Sequence, residues 1–250
     1  MNLQRRYLTL EIYRALQRAV RRLSTEAKER IERYVLSQCP GGAAFINRAG
    51  KPDLYYSFFG WTLCSVLGLR TDSKEREAYL KFIDRESLDA FQQMVYDEAR
   101  EVHRLLKVGK LRAAMHWIAR GMPDVLPTFF EEYVRRSPDS QSVNILAANL
   151  IRQGLDNGFD PHAVEADLGR LYRMQDDSGG WRQNEGISIP DMLSTSVALF
   201  ALAQYGKQPC YASSYFVDAH WQEDGSFAPN LYDKQSDVEY VFYGLLALGA

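Results

Sequence analysis

Asp53, Asp191 and Asp237 are the first residues of this chain whose type and spacing suggest chemistry. Each follows a glycine (Gly41, Gly179, Gly225) by twelve residues, and each opens an apolar, helix-like run. A carboxylate at the head of such a run, facing a cavity, could act as an acid or stabilise a developing cation. The same placement is that of a helix N-cap, whose oxygen accepts from unpaired backbone N–H groups. Recurrence favours capping, because a catalytic acid is needed once and a cap is needed in every unit. The apolar runs hold a second candidate chemistry. Tyr55, Tyr56, Phe58, Phe59, Trp61, Phe200, Tyr240, Phe242 and Tyr243 offer π faces that could pack along an apolar chain or stabilise a cation. Most of them must fill core, since a helix turns at most one face to a cavity.

Other reactive side chains are less suggestive. Asp176, Asp177 and Asp224 fall in Gly-containing turns, where short acids bond to nearby amides. His103, His116, His162 and His220 show no metal-ligand spacing. Cys39, Cys64 and Cys210 are odd in number and far apart, which suggests neither a disulfide framework nor a thiolate zinc site. Cys64 reads as a small buried hydrophobe.

The elements that position these residues follow from periodicity. Asp191 and Asp237 lie 46 residues apart, and Asp53 and Asp191 lie three times that distance apart. A fixed period of this size marks stacked copies of one supersecondary unit. Each copy reads as an amphipathic outer helix, a Gly-rich turn, and an inner helix apolar on nearly every side: 25–37 before 54–69, 161–174 before 191–206, and 211–221 before 237–249. Trp181 and Phe227, just after their glycines, are expected to staple neighbouring units. Between 74 and 155 the glycine–aspartate signature fades, yet 78–82, 88–106, 111–119, 125–134 and 143–155 keep helical periodicity, enough for two degenerate units. No strand alternation of useful length is evident. The expected fold is all-α, about five helix pairs forming a curved solenoid or a closed α/α toroid around a central apolar cavity.

Residues 1–24 form a separate amphipathic helix in which Arg5, Arg6, Arg14, Arg18, Arg21 and Arg22 crowd the polar side. It is expected to cap the open end of the repeat domain at 25–250; peripheral contact with an anionic membrane is the weaker reading. Residue 250 falls one turn short of where the sibling inner helices end, so a truncated C-terminus is also expected. A net charge of −2 gives no basic field for nucleic acid. With 46% apolar residues the chain can build a buried core. The N-terminus lacks a secretory signal pattern, no apolar run reaches membrane-span length, and the unpaired cysteines suit a reducing, cytoplasmic setting.

The segments Gln175–Trp181, Trp221–Phe227 and Ser236–Gly249 resemble repeats of the prenyltransferase/squalene-cyclase superfamily. Gly41-Gly42 with Pro52–Phe59 is similar to the matching part of protein prenyltransferase beta subunits. The resemblance covers 43–69 and 161–250, and the middle by period alone. It implies an α/α toroid whose inner helices ring an aromatic cavity for an isoprenoid chain. It points to Tyr55, Phe59, Tyr240 and Tyr243 as cavity residues, with Trp61 beside them as a further substrate-binding candidate. In those beta subunits an aspartate, a cysteine two residues on, and a later histidine hold zinc. Here Asp53 matches the aspartate, Tyr55 stands at the cysteine and Tyr240 at the histidine, so zinc is not expected; magnesium is expected only if a diphosphate binds. The spaced acid motif of the cyclases is missing as well, since Asp176 and Asp177 are adjacent. Two functions follow. One is an atypical prenyltransferase- or terpene-cyclase-like enzyme. The other is a non-catalytic module that binds a hydrophobic ligand or an unidentified protein partner.

Overall fold

The computed structural model describes residues 8–108, 142–155 and 161–250. Within them lie ten α-helices: α1 (Leu8–Arg22), α2 (Thr25–Ser37), α3 (Leu54–Leu67), α4 (Ser73–Phe82), α5 (Ala90–Val108), α6 (Val143–Leu155), α7 (Pro161–Arg173), α8 (Met192–Gln204), α9 (Ser214–His220) and α10 (Val238–Gly249). A single 3-10 turn spans Arg85–Ser87. The fold is all-α. The expected helices at 111–119 and 125–134 lie outside the described residues. Among the described residues no helix is long and apolar enough to cross a membrane.

The inner helices are helical because nothing in them competes for the backbone and their side chains bury all round. In α3 every residue from Phe59 to Leu67 is buried. In α10 the one charged residue is Glu239. Each inner helix of the three regular copies starts at an aspartate cap, and in the first two it follows a loop closed by short pairing. That pairing runs Ile46 with Pro52 in the first copy and Trp181–Arg182 antiparallel to Pro190–Asp191 in the second. It is strand structure that the sequence reading did not anticipate, because two residues show no alternation.

The turn glycines adopt left-handed backbone: Gly179 at φ 91° and Gly225 at φ 94°. In the first copy the left-handed residue is Gly42 (φ 68°), one place after the glycine that keeps the repeat spacing. The cause is an extra residue: three steps lead from Gly42 to the buried Phe45, against two from Gly179 to Trp181 and from Gly225 to Phe227. Each of these aromatics plugs its own unit. A Cβ on Gly60 would lie 2.3 Å from the Phe45 ring, and one on Gly244 would lie 2.4 Å from Phe227. Trp181 receives its bonds at home too: its backbone N–H donates to Thr195 Oγ1 (2.8 Å) and its indole to Leu171 O (2.8 Å). Phe227 also shares a core cluster with Met192 of the preceding unit, and the turn glycines add close contacts between neighbours. Gly179 abuts Ala212 ahead of α9, and Gly225 abuts Arg30 of α2, each so closely that a Cβ would come within 2.3 Å of backbone.

That last contact joins the last of the three regular copies to the first. α3 packs on α5 and on α10, α10 on α8, and α8 on α6, so the first and last copies touch directly. α4 and α5 form a helix pair without the glycine–aspartate signature, as the fading of the motif suggested. α1 lies along α10 and against α3. It is more than an end cap: Ala15, Leu16 and Ala19 are fully buried, and Gly249 sits flush against Ala15. Two of its arginines bond to α10. Arg18 Nε donates to Gly249 O (2.7 Å) and Arg22 donates to Leu248 O (3.2 Å), satisfying carbonyls at the end of α10.

Candidate functional site

The inner helices and α1 converge on a cavity of about 110 Å³. α1 gives Thr9, Ile12 and Tyr13; α3 gives Tyr55, Phe58, Phe59 and Thr62; α5 gives Met94, Val95, Glu98 and Val102. Ile151, Val197, Phe200, Phe242, Tyr243 and Leu246 complete the wall. The aromatics at the α3–α10 seam pack edge to face. Phe59 stands 4.9 Å from Tyr55 and 5.0 Å from Phe242, at interplanar angles of 77° and 69°. Such pairs gain about 1 kcal/mol beyond area burial, which helps to hold the rings of this wall in place.

A polar cluster lies where α3 and α10 begin. Asp53 Oδ1 accepts from the N–H groups of Tyr55 (2.8 Å) and Tyr56 (3.3 Å). Asp237 Oδ1 accepts from those of Glu239 (2.9 Å) and Tyr240 (3.2 Å). The loop before α3 ties the two caps together. Asn47 donates to Asp53 (3.4 Å), and Arg48 donates to Asp237 (2.9 Å) and Asp233 (3.1 Å) while covering the Tyr240 ring at 5.2 Å. Asp237 is 2% exposed, so Arg48 neutralises a carboxylate that water barely reaches.

Next to this cluster the Tyr55 hydroxyl donates to Glu239 Oε1 at 2.6 Å. Burial pushes the Glu239 carboxyl up to about 7, with Asp237 adding to the effect against the opposing Tyr55 bond. Burial also holds the Tyr55 phenol well above its ordinary value, reinforced by Tyr243 and Glu239. Because Tyr55 lines the cavity, a carboxyl that exchanges its proton near neutral pH sits one hydrogen bond from the apolar wall. That is the protonation behaviour a general acid or base needs.

The expected site residues divide. Tyr55, Phe59 and Tyr243 line the cavity. Trp61 lies away from it: its indole donates to Ala43 O (2.9 Å) and its ring meets Tyr79 edge-on. Tyr240 is under Arg48, packed beside Met192, Phe216 and Phe227. Asp53, Asp191 and Asp237 are all N-caps, and only the first and third share a cluster. Asp191 takes both its bonds from Ser194, N–H at 2.7 Å and hydroxyl at 2.8 Å, and burial raises its carboxyl. Arg48, Glu239, Tyr13 and Glu98 went unnoticed in the sequence. Glu239 had a signal: it occupies the position two after the repeat aspartate, as Tyr55 does in the first copy, and those equivalent residues meet.

The donor set does not fit zinc. Phenols stand at two of the three matched positions, and Tyr55 and Tyr240 are engaged with Glu239 and Arg48. Among the described residues no group of three or more His, Cys, Asp or Glu is arranged to hold a metal ion. Comparison with protein-family models, curated proteins and solved structures gave no match.

Proposed function

We propose that this chain is an α/α toroid of the prenyltransferase/squalene-cyclase type and that it holds a short isoprenoid or similarly branched apolar ligand in its central cavity. The observation that carries the reading is the convergence of α3, α5, α6, α8 and α10 on one apolar, aromatic-walled space. Size sets the scale of the ligand. A cavity of about 150 Å³ takes benzene, so about 110 Å³ takes one five-carbon unit or a small ring. A fifteen-carbon chain requires the wall to open. The direct test is mass spectrometry of small molecules extracted from the purified protein. Recovery of a branched hydrocarbon or its oxygenated derivative supports the reading. Val197→Trp, which fills the cavity, then abolishes its recovery; a ligand that survives this substitution refutes the site.

Glu239 and Tyr55 favour the enzymatic version over a purely binding one. A carboxyl with a pKa near 7 beside a hydrophobic ligand can give or take a proton during turnover. Incubation with labelled prenyl diphosphates, with and without zinc or magnesium, separates the two versions. Product formation that disappears in Glu239→Gln supports catalysis, and tight binding without product supports the non-catalytic module. Peripheral membrane contact through α1 and a protein partner belong to the same proposal. Vesicle sedimentation with anionic lipid tests the first, and mass determination of complexes in extract tests the second.

A further inference from the structure

We infer that the cavity ligand is an electrically neutral molecule bearing one hydroxyl or carbonyl oxygen, and that Tyr13 Oη hydrogen-bonds to that oxygen. This rests on the cavity reading above and narrows it to a chemical class.

The first observation is an orphan group. Tyr13 lines the cavity, and its hydroxyl oxygen is buried without a hydrogen-bond partner. Thr62 and Ser65 lie near enough to influence its proton affinity, but neither meets hydrogen-bond geometry with it. The Thr62 hydroxyl is committed to Phe58 O at 2.8 Å. Buried polar groups in native proteins are nearly always satisfied, and one left open toward a cavity marks a place where a ligand atom completes the set. Burial raises the phenol to about 12, so it keeps its proton and can donate.

The second observation is charge. Among the described residues no lysine, arginine or histidine lines the cavity, and the one carboxyl in its wall is that of Glu98. Arg48, in the polar cluster at the head of α3 and α10, is held by Asp233 and Asp237. A diphosphate would enter an apolar space facing Glu98, with Glu239 one hydrogen bond beyond Tyr55 and no cation among the described lining residues to receive it. Repulsion of that kind is strong at low dielectric. A cationic amine has no better place: Glu98 interacts with neighbours of its own, and the group left open is an uncharged phenol. An alcohol or carbonyl compound matches Tyr13, leaves the charges undisturbed, and buries its hydrocarbon body against Phe59, Phe200 and Phe242.

The experiment is a binding series by calorimetry on the full chain freed of endogenous ligand. The probes share one five-carbon skeleton: 3-methylbut-2-en-1-ol, 2-methylbut-2-ene, 3-methylbut-2-enylamine and dimethylallyl diphosphate. Each is measured against the native protein and Tyr13→Phe, with helicity recorded to show that both are folded. The alcohol is expected to bind more tightly than the diphosphate and the amine. Tyr13→Phe is expected to weaken the alcohol about tenfold, the usual scale of one buried hydrogen bond, and to leave the hydrocarbon within twofold. Preference for the diphosphate or the amine overturns the inference, as does an alcohol affinity that Tyr13→Phe does not change. In both cases the cavity reading stands. If neither alcohol nor hydrocarbon binds the folded protein, the cavity reading itself fails and this inference with it.

Discussion

Replacing Glu239 by glutamine should change how stability depends on pH, in a direction that the geometry dictates. Burial raises the Glu239 carboxyl from its ordinary 4.5 to about 7 in the folded state. Between those two values the folded chain binds more protons at this site than the unfolded chain. Stability therefore falls as pH rises, and the loss is complete once pH passes the folded value. At 1.36 kcal/mol per pH unit the full shift corresponds to about 3 kcal/mol; the partial solvation of this side chain reduces the expected figure to about 2 kcal/mol. Glutamine keeps an acceptor for the Tyr55 hydroxyl and has no proton to lose. The assay is urea unfolding of native protein and Glu239→Gln at pH 5 and pH 8. The native protein should lose about 2 kcal/mol relative to the variant between the two pH values. Taking the difference cancels other groups, including His103 and His220, whose burial lowers their pKa values and acts in the opposite direction. A difference that is flat, or that grows in favour of the native protein with pH, would refute the account of Glu239.

Four further outcomes are expected. Gly60→Ala should destabilise by about 3 kcal/mol through collision with Phe45. Gly169→Ala in α7, where the nearest atom is an arginine tip at 3.9 Å, should stabilise by about 0.5–1 kcal/mol by helix propensity; thermal denaturation of both should show the opposite signs. Arg48→Met leaves the Asp237 carboxylate without its ion-pair partner and should cost about 2–3 kcal/mol in urea unfolding, less than a fully buried pair because Arg48 is 32% exposed. Asp191→Ala removes the cap of α8 and should cost about 1 kcal/mol, with ligand binding in the cavity unchanged within twofold.

The parts of the molecule that were legible beforehand are those written in local rules. Helix α2 begins and ends where its cap and periodicity place it, and the aspartate caps recur because each inner helix needs one. The shift of the left-handed turn residue to Gly42 was not legible, since either glycine could adopt it and the choice depends on seating Phe45. The cavity was half legible. Tyr55, Phe59 and Tyr243 were found, but Trp61 and Tyr240 were assigned to it by the company they keep along the chain. A helix apolar on every side gives no sign of which side faces the hollow. Glu239 and Tyr13 were missed because one carboxylate or one phenol in an apolar run has no pattern. Their significance is that α10 brings Glu239 to Tyr55, and that α1 inserts Tyr13 among inner helices instead of resting outside them.

The seam between α1 and α10 also governs the order in which this protein can be made. Arg18 and its acceptor at Gly249 are 231 residues apart, an interval of roughly 10 to 50 s at common synthesis rates of about 5–20 residues per second. Through that time α1 has α3 to pack against but lacks its larger partner, α10. Early modules can curl up locally, but the hollow gains its last wall only when the final helix arrives. Much of the greasy face of α1 thus stays uncovered for most of synthesis, and variants that weaken the docking of α10 should be rescued by helpers that shield it.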